Sequence, residues 1–484
     1  MDLTKALQLL FCISLGILAS SLFFMLTPWV VLATAAGALL LVVFLSRPEL
    51  GLLAIVAIIS SIISEGALPL IPIPIGSVHV TDLILLGLFF LVFKKLFIDK
   101  EFAFVRTPLD IPLLLFYIAV LISAFNAIMN YHLNFNVVFR EFRGVSYYLI
   151  YFAVTNLIRD KRQIKFLING LLAVGTVVGL AMVVQAIVGN SIQILPGRIE
   201  SAMTWERLYS STRILPPGQT AVYVAFVLGF CVLAYLGKSL AKSAYFMALV
   251  ISGMGVLLTY NRSYWASIIL TLSIFVLLTS KTTKRRVLAW SVIILILVGV
   301  LSFAFLSLGG RPREYFVSLS ERFTSLFSGE RVISSPSLRW RRVENEYALK
   351  QIVKHPLMGI GLANDYRPRI FQESLHNIDW NPLGYIHNGY LWVLISTGII
   401  GFVPFIWFYL LFVIRGLKQW KTVEDDFLRS AVIAFSLSGI GILLMVIVNP
   451  MFMQWFSIVI IALMIGLSES IINLNKTAEK ELHG

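Results

Sequence analysis

Apolar runs about 20 residues long recur from Ala6 almost to Ile472, separated by short polar turns and by one stretch of nearly 80 residues between Leu308 and Ile386. About 30 Å of hydrocarbon at a rise of 1.5 Å per residue needs about 20 residues, so each run has the length of a bilayer-crossing helix. Charged residues make up 13% of the chain, against roughly 25% in soluble domains. A soluble enzyme is excluded.

The expected fold is an all-α polytopic membrane protein of about 12–14 transmembrane helices with one long, partly helical outer loop. The runs fall at about 6–26, 28–45, 50–64, 80–97, 109–128, 144–158, 166–188, 217–236, 244–260, 264–280, 287–307, 388–414, 429–448 and 455–472. The first follows Lys5 without a clear small-x-small cleavage pattern, and another run comes at once, so it reads as a retained anchor. Five regions follow: 1–194 and 195–307 of membrane helices, the second with Arg-bearing outer loops, a loop domain at 308–386, C-terminal helices at 387–472, and a tail at 473–484. Cys12 and Cys231 both sit inside apolar runs and read as small core residues.

Orientation follows from the lysines, because cationic loops resist translocation. With the N-terminus inside, fourteen of sixteen lysines are cytoplasmic, and the other two, Lys350 and Lys354, lie in the long loop, whose length exempts it from the rule. Arginine behaves differently. Fifteen of twenty-three arginines fall outside, among them Arg140, Arg143, Arg207, Arg213, Arg262, Arg339, Arg342 and Arg367. A basic surface beside anionic lipid headgroups would account for single arginines. The set, arginine chosen over lysine, suggests bidentate recognition of phosphate or carboxylate. The net charge of +14 adds attraction for anions without naming them. Nucleic acid is not an expected partner, because no soluble basic module presents itself.

The spans carry almost no ionisable residues in their interiors, where an ion-coupled transporter keeps its relays. The chemistry is therefore expected at the outer interface, where three places stand out. Thr259-Tyr260-Asn261-Arg262-Ser263 puts an arginine at an outer mouth between two apolar runs. The bland reading is an interfacial arginine snorkelling beside Tyr260, Tyr264 and Trp265. Ser335-Pro336 looks like a helix start, with the helix running to about Lys354 ahead of Pro356. On it Arg339, Arg342 and Glu346 share one face, and Trp340, Val343 and Tyr347 another. A helix lying on the membrane surface fits this pattern equally well. The turn Pro356-Leu357-Met358-Gly359-Ile360-Gly361 is a weak candidate phosphate cradle. Finally, His387-Asn388 opens the twelfth run, followed after nine residues by Gly398-x-x-Gly401. A histidine there can exchange a proton near neutrality or simply bond a carbonyl, and the glycine pair suggests close helix packing.

Together, His387-Asn388, nine residues, then Gly398-x-x-Gly401, preceded by Ser335-x-x-x-Arg339-Trp340 and the Pro356–Gly361 turn, resemble the O-antigen ligase and polymerase superfamily of bacterial glycan transferases. Thr259–Ser263 is similar to that family's Ser-Arg-Gly element, with Asn261 and Ser263 departing at the flanks. Arg213 ahead of Pro216-Pro217-Gly218 resembles a further family arginine. The resemblance covers roughly residues 195–470.

It implies transfer of a glycan from an undecaprenyl-diphosphate carrier to a hydroxyl acceptor at the outer face of the bacterial inner membrane. His387 would be the general base. Arg262 and Arg339, with Arg213 and Arg207 behind them, would stabilise the diphosphate leaving group, and Asn388 and Arg342 would support. No acidic pair with metal-binding spacing is evident on the outer side, so neither a divalent metal nor a cofactor is expected. The implied partners are the carrier-linked donor, a glycan or lipid A core acceptor, membrane lipids and a chain-length regulator. The long loop inclines the reading towards a polymerase, since it could guide a growing chain, although a ligase could use the same loop. A lipid-linked glycan flippase or other polysaccharide transporter is the alternative, and it would need a polar route that nearly uncharged spans do not offer.

Overall fold

The computed structural model describes most residues of 42–288 and 336–483, with isolated positions in 289–335. The expected runs at 6–26, 28–45 and 287–307 lie, a few positions apart, outside the described residues. In chain order the elements are α1 (Pro48–Ile59), the hairpin β1 (Ile71–Ile73) and β2 (Gly76–Val78), α2 (Val80–Ile98), α3 (Asp110–Met129), α4 (Phe135–Ser146), a 3₁₀ turn (Tyr147–Leu149), α5 (Ile150–Leu157), α6 (Lys161–Val188), the hairpin β3 (Arg198–Thr204) and β4 (Arg207–Leu215), α7 (Gln219–Tyr235), α8 (Lys242–Leu258), α9 (Arg262–Leu278), α10 (Pro336–Lys354), the hairpin β5 (Phe371–Gln372) and β6 (Asn377–Ile378), α11 (Gly389–Gln419), α12 (Asp426–Val446) and α13 (Trp455–His483).

The fold is an all-α polytopic membrane bundle. Five of its helices, α3, α6, α11, α12 and the first 23 residues of α13, are long and apolar enough to cross a membrane. Residues exposed on α3 and α11, such as Ile118, Phe125, Val403 and Trp407, are apolar, as a lipid-facing surface requires. Two short runs differ from expectation. The run at 50–64 forms a helix of only 12 residues, and the run at 144–158 is the end of a piece that begins at Phe135 with the amphipathic α4, where Val138 and Val145 are buried while Val137 and Arg140 are exposed. Glycine brings α6, α7 and α8 together: a Cβ at Gly175 would come within 2.5 Å of Ala225 Cβ, and one at Gly255 within 2.9 Å of Gly179 Cα.

The bundle has two chemically distinct ends. At one, Lys161 and Lys165 contact Asp425 at 3.0 and 2.7 Å, and Asn475 donates to the Thr422 carbonyl. Asp425 also caps α12, accepting from the amides of Phe427 and Leu428. Burial would raise its carboxyl pKa, but the hydrogen bond from Lys165, the cap and Lys161 together hold it at about 2. At the other end Arg143 bonds Asp82, Asn449 reaches Asn261, and α10 lies against the start of α11. Between the ends a charged pair sits within the spans: Glu469 of α13 is fully buried and takes a two-pronged bond from Arg415 of α11, at 2.9 Å on each oxygen.

α11 is broken at Gly398, which has φ 63° and ψ −169°, a conformation essentially reserved for glycine. A break in an apolar setting leaves carbonyls before it and amides after it without helical partners. The segment following α10 supplies most of them. The Ile360 amide donates to the Ile395 carbonyl (2.8 Å), and the Ile399 and Ile400 amides donate to the carbonyls of Pro356 (2.9 Å) and Leu357 (3.2 Å). From α3, Ser123 Oγ donates to the Ser396 carbonyl at 2.6 Å. The Pro356–Gly361 turn is thus a main-chain clip on a broken helix. Its Gly359 and Ile360 amides bond the His355 and Ile395 carbonyls, which corrects the expectation of a phosphate cradle. Of the glycine pair, Gly401 serves close packing, against Ala119 of α3, while Gly398 makes the break.

The clip ties the end of α10 to the middle of α11, and the two helices run antiparallel. From Glu344 to Pro356 is 12 residues and from His387 to Gly398 is 11, rises of about 18 and 16 Å. Ala348 and Ile352 of α10 and Leu391 and Ile395 of α11 share the apolar cluster between them.

Two outcomes follow. Gly398→Ala forces a side chain into an unfavourable φ and onto the Leu357 main chain, and should lower stability by about 2–3 kcal/mol, read as a fall in the unfolding midpoint in detergent. Asp425→Ala should cost about 1 kcal/mol through the lost cap, and Asp425→Asn less. Because the folded pKa of Asp425 is depressed, the contribution of its charge is present above about pH 4 and is lost as pH falls towards 2. An acid unfolding series on wild type and Asp425→Asn should converge over that window.

Candidate active site

The site is assembled at the end of the bundle opposite the Lys161–Asp425 cluster, from two helix starts, one helix face and the loop after α12. His387 sits immediately before α11. Asn388 is the N-cap of that helix, its Oδ1 accepting from the amides of Tyr390 (3.1 Å) and Leu391 (3.2 Å). The cap commits the Asn388 oxygen to the backbone and fixes the residue beside His387. The His387 side chain is 22% exposed, enough for a substrate atom to reach, and the Tyr385 ring stands edge-on to it at 5.0 Å.

Its main partner comes from α10. Glu344 Oε2 lies 2.7 Å from His387 Nδ1 and accepts from the His387 amide at 3.2 Å. The Glu344 side chain is 0% exposed, and its other oxygen, Oε1, is buried with no hydrogen-bond partner among the described residues. Sequence pattern had sorted α10 into an Arg339–Arg342–Glu346 face and a Trp340–Val343–Tyr347 face. The first is the exposed face and the second is half-buried, but the fully buried positions, Glu344 and Ala348, fall on neither. The signal that could have found Glu344 is the matched spacing from the clip, 12 residues back along one helix and 11 along the other.

Arg262 is the first residue of α9. Its Nε is buried without a hydrogen-bond partner among the described residues. The residues on either side of it are tied to the loop after α12. Asn449 Nδ2 donates to Ser263 Oγ at 2.8 Å, and Asn449 Oδ1 accepts from Asn261 Nδ2 at 3.3 Å. The same loop abuts the start of α11, where a Cβ on Gly389 would lie 3.3 Å from the Asn449 carbonyl oxygen. The starts of α9 and α11, and with them Arg262 and His387, therefore flank one short loop. The two positions at which Thr259–Ser263 departs from the family pattern, Asn261 and Ser263, are the ones that make this bridge.

The other candidate arginines are placed differently. Arg339 and Arg342 are on the exposed face of α10, about 140° and 200° around the helix from Glu344 at 100° per residue. Arg213 and Arg207 lie on β4, paired in register with Glu200 and Thr204 of β3, and their side chains lie outside the described residues. Arg367, one of the outer arginines but not one of the individual candidates, is 4% exposed with its guanidinium 5.1 Å from the Trp340 ring centre and 5.7 Å from that of Tyr366. Trp340 follows Arg339, so this cation–π contact helps hold the first turn of α10.

The arrangement offers a histidine with one ring nitrogen engaged by a buried carboxylate, a half-buried guanidinium on a neighbouring helix start, and an exposed arginine row on the helix that carries the carboxylate. It suits proton removal beside a developing anion. No curated protein matches the chain. A family model described as O-antigen ligase matches residues 247–406, about a third of the chain, running from α8 through the clip and just past the break in α11, with Arg262, Arg339, Glu344 and His387 inside it and Arg207 and Arg213 outside. Over that stretch the chain is similar to the O-antigen ligase family.

Proposed function

We propose that this protein is a glycosyltransferase that moves an undecaprenyl-diphosphate-linked glycan to a hydroxyl acceptor at the outer face of the bacterial inner membrane, as a repeat-unit polymerase or an O-antigen ligase. The single observation that carries the reading is the meeting of His387 and Arg262 at helix starts around Asn449, on the lysine-poor end of the bundle. The lysine bias supports placing that end outside.

In the proposed step His387 Nε2 takes the proton of the acceptor hydroxyl. The oxygen lone pair forms the new bond to the anomeric carbon, the bond from that carbon to the carrier's diphosphate oxygen breaks, and its electron pair leaves on the diphosphate. Arg262, half-buried and with an Nε that has no hydrogen-bond partner among the described residues, would meet that charge in a partly dry setting where a fixed cation is worth most. Arg339, from the exposed face of α10, would reach the diphosphate across the mouth, with Arg342 beside it and Arg213 and Arg207 behind. No step calls for a metal, since the guanidinium groups supply the charge. Between polymerase and ligase, the loop of nearly 80 residues favours the polymerase, with a chain-length regulator as its partner.

His387→Ala should fold and bind the carrier-linked glycan yet transfer it roughly 10²- to 10⁴-fold more slowly, measured by product formation in proteoliposomes. Wild-type transfer by this variant would remove the base assignment, and carrier flipping without transfer would favour a flippase. Arg339→Lys should bind the diphosphate less tightly despite keeping its charge, because the planar fork is lost, and titration with the carrier lipid reads this directly. Growth of a ladder from defined carrier-linked repeats without a lipid A core would reject a strict ligase.

A further inference from the structure

We propose that Glu344 is the positioning residue for His387. It accepts Nδ1–H so that the lone pair stands on Nε2, facing the acceptor, and its charge stabilises the imidazolium formed when Nε2 takes the proton. This rests on the reading of His387 as base.

Three observations carry it. The contact is bifurcated onto one oxygen: Oε2 takes both the ring nitrogen at 2.7 Å and the main-chain amide of the same residue at 3.2 Å. The pair of bonds fixes the ring's pivot as well as its tilt, which a merely space-filling glutamate would not do. Next, the carboxylate is fully buried, and no other hydrogen bond is seen on Oε1 among the described residues. A carboxylate so placed can stabilise positive charge that forms on the neighbouring ring during the reaction. Lastly, the pair spans two elements held in register by the clip, so the geometry does not depend on the two side chains alone. Among the described residues the titratable groups in contact with the ring are Glu344 from α10 and Tyr385 from the preceding loop.

In the reaction the proton passes from the acceptor oxygen to Nε2 and stays on the imidazolium. Glu344 remains a carboxylate throughout, and the proton leaves to water from Nε2 after the product departs. Glu344 touches neither sugar nor diphosphate.

The test is Glu344→Gln in the full-length protein in proteoliposomes, with Glu344→Asp beside it. Glutamine is nearly isosteric but uncharged, and its amide can donate to Nδ1, which favours the wrong tautomer. Expected for Glu344→Gln are a kcat lower by roughly 10²-fold with KM for the carrier-linked donor little changed, and an ascending limb of the pH–rate profile moved to lower pH by roughly one unit, because an anionic partner favours the charged imidazole. Glu344→Asp, which keeps the charge, should recover part of the rate and keep the limb near its wild-type position. In a His387→Ala background Glu344→Gln should cost nothing further, since the two act as a unit. An unmoved limb with equal losses for Gln and Asp, or a loss that adds in full to that of His387→Ala, would overturn the assignment while leaving the function intact. If His387→Ala itself transfers at the wild-type rate, the underlying reading fails instead.

Discussion

The constraint on which the site depends is the need to satisfy main-chain groups at the break in α11. A glycine in a left-handed conformation interrupts an apolar helix, and an exposed carbonyl or amide there would cost several kcal/mol. The chain answers with carbonyls and an amide of the Pro356–Gly361 turn and with Ser123 of α3. The bonding is mostly main chain to main chain. The side chains of Leu357 and Met358, 60% and 48% exposed, take little part. The segment after α10 is thereby docked at the break largely through main-chain bonds, and α10 is laid along the first half of α11 with its register set. Everything chemical at His387 follows from that register, because only one turn of α10 can face it.

Much of the fold was legible from sequence, and the reasons are specific. Runs such as 109–128, 166–188 and 429–448 become α3, α6 and α12 because length and hydropathy are the physical requirements themselves. The start of α10 at Pro336 and its end at Lys354 were legible because proline is suited to the first helical position and disfavours helix at the residue before it. The break at Gly398 was not, since hydropathy is continuous across it and a Gly-x-x-Gly pair reads equally as helix packing. The hairpin β3–β4 was missed for another reason: its residues pair with each other at short range and carry neither an apolar run nor a turn signal of their own.

At the candidate site the histidine and the half-buried arginine stood out in the sequence as candidates, but the carboxylate beside the histidine did not. A helical wheel sorts α10 into faces without saying which face docks. Glu346, on the arginine face, was the acid visible in the pattern, whereas Glu344 becomes meaningful only once α10 is set against α11. Asn261 and Ser263 are a similar case. They looked like departures that weakened a motif, and they are the anchor that ties Arg262 to the loop beside His387.

The two buried glutamates show how the structure separates holding from acting. Glu469 has both oxygens engaged by the fork of Arg415 across two helices, a geometry that satisfies the charge and leaves nothing for a substrate to change. Removing either partner there would strand a charge, so the pair is suited to fixing helix against helix. Glu344 is equally buried, yet one oxygen carries both contacts to a single histidine and the other carries none that is seen. In the proposed reaction this second glutamate stands behind the ring that takes the hydrogen of the acceptor hydroxyl, which is the position from which a fixed carboxylate can orient it.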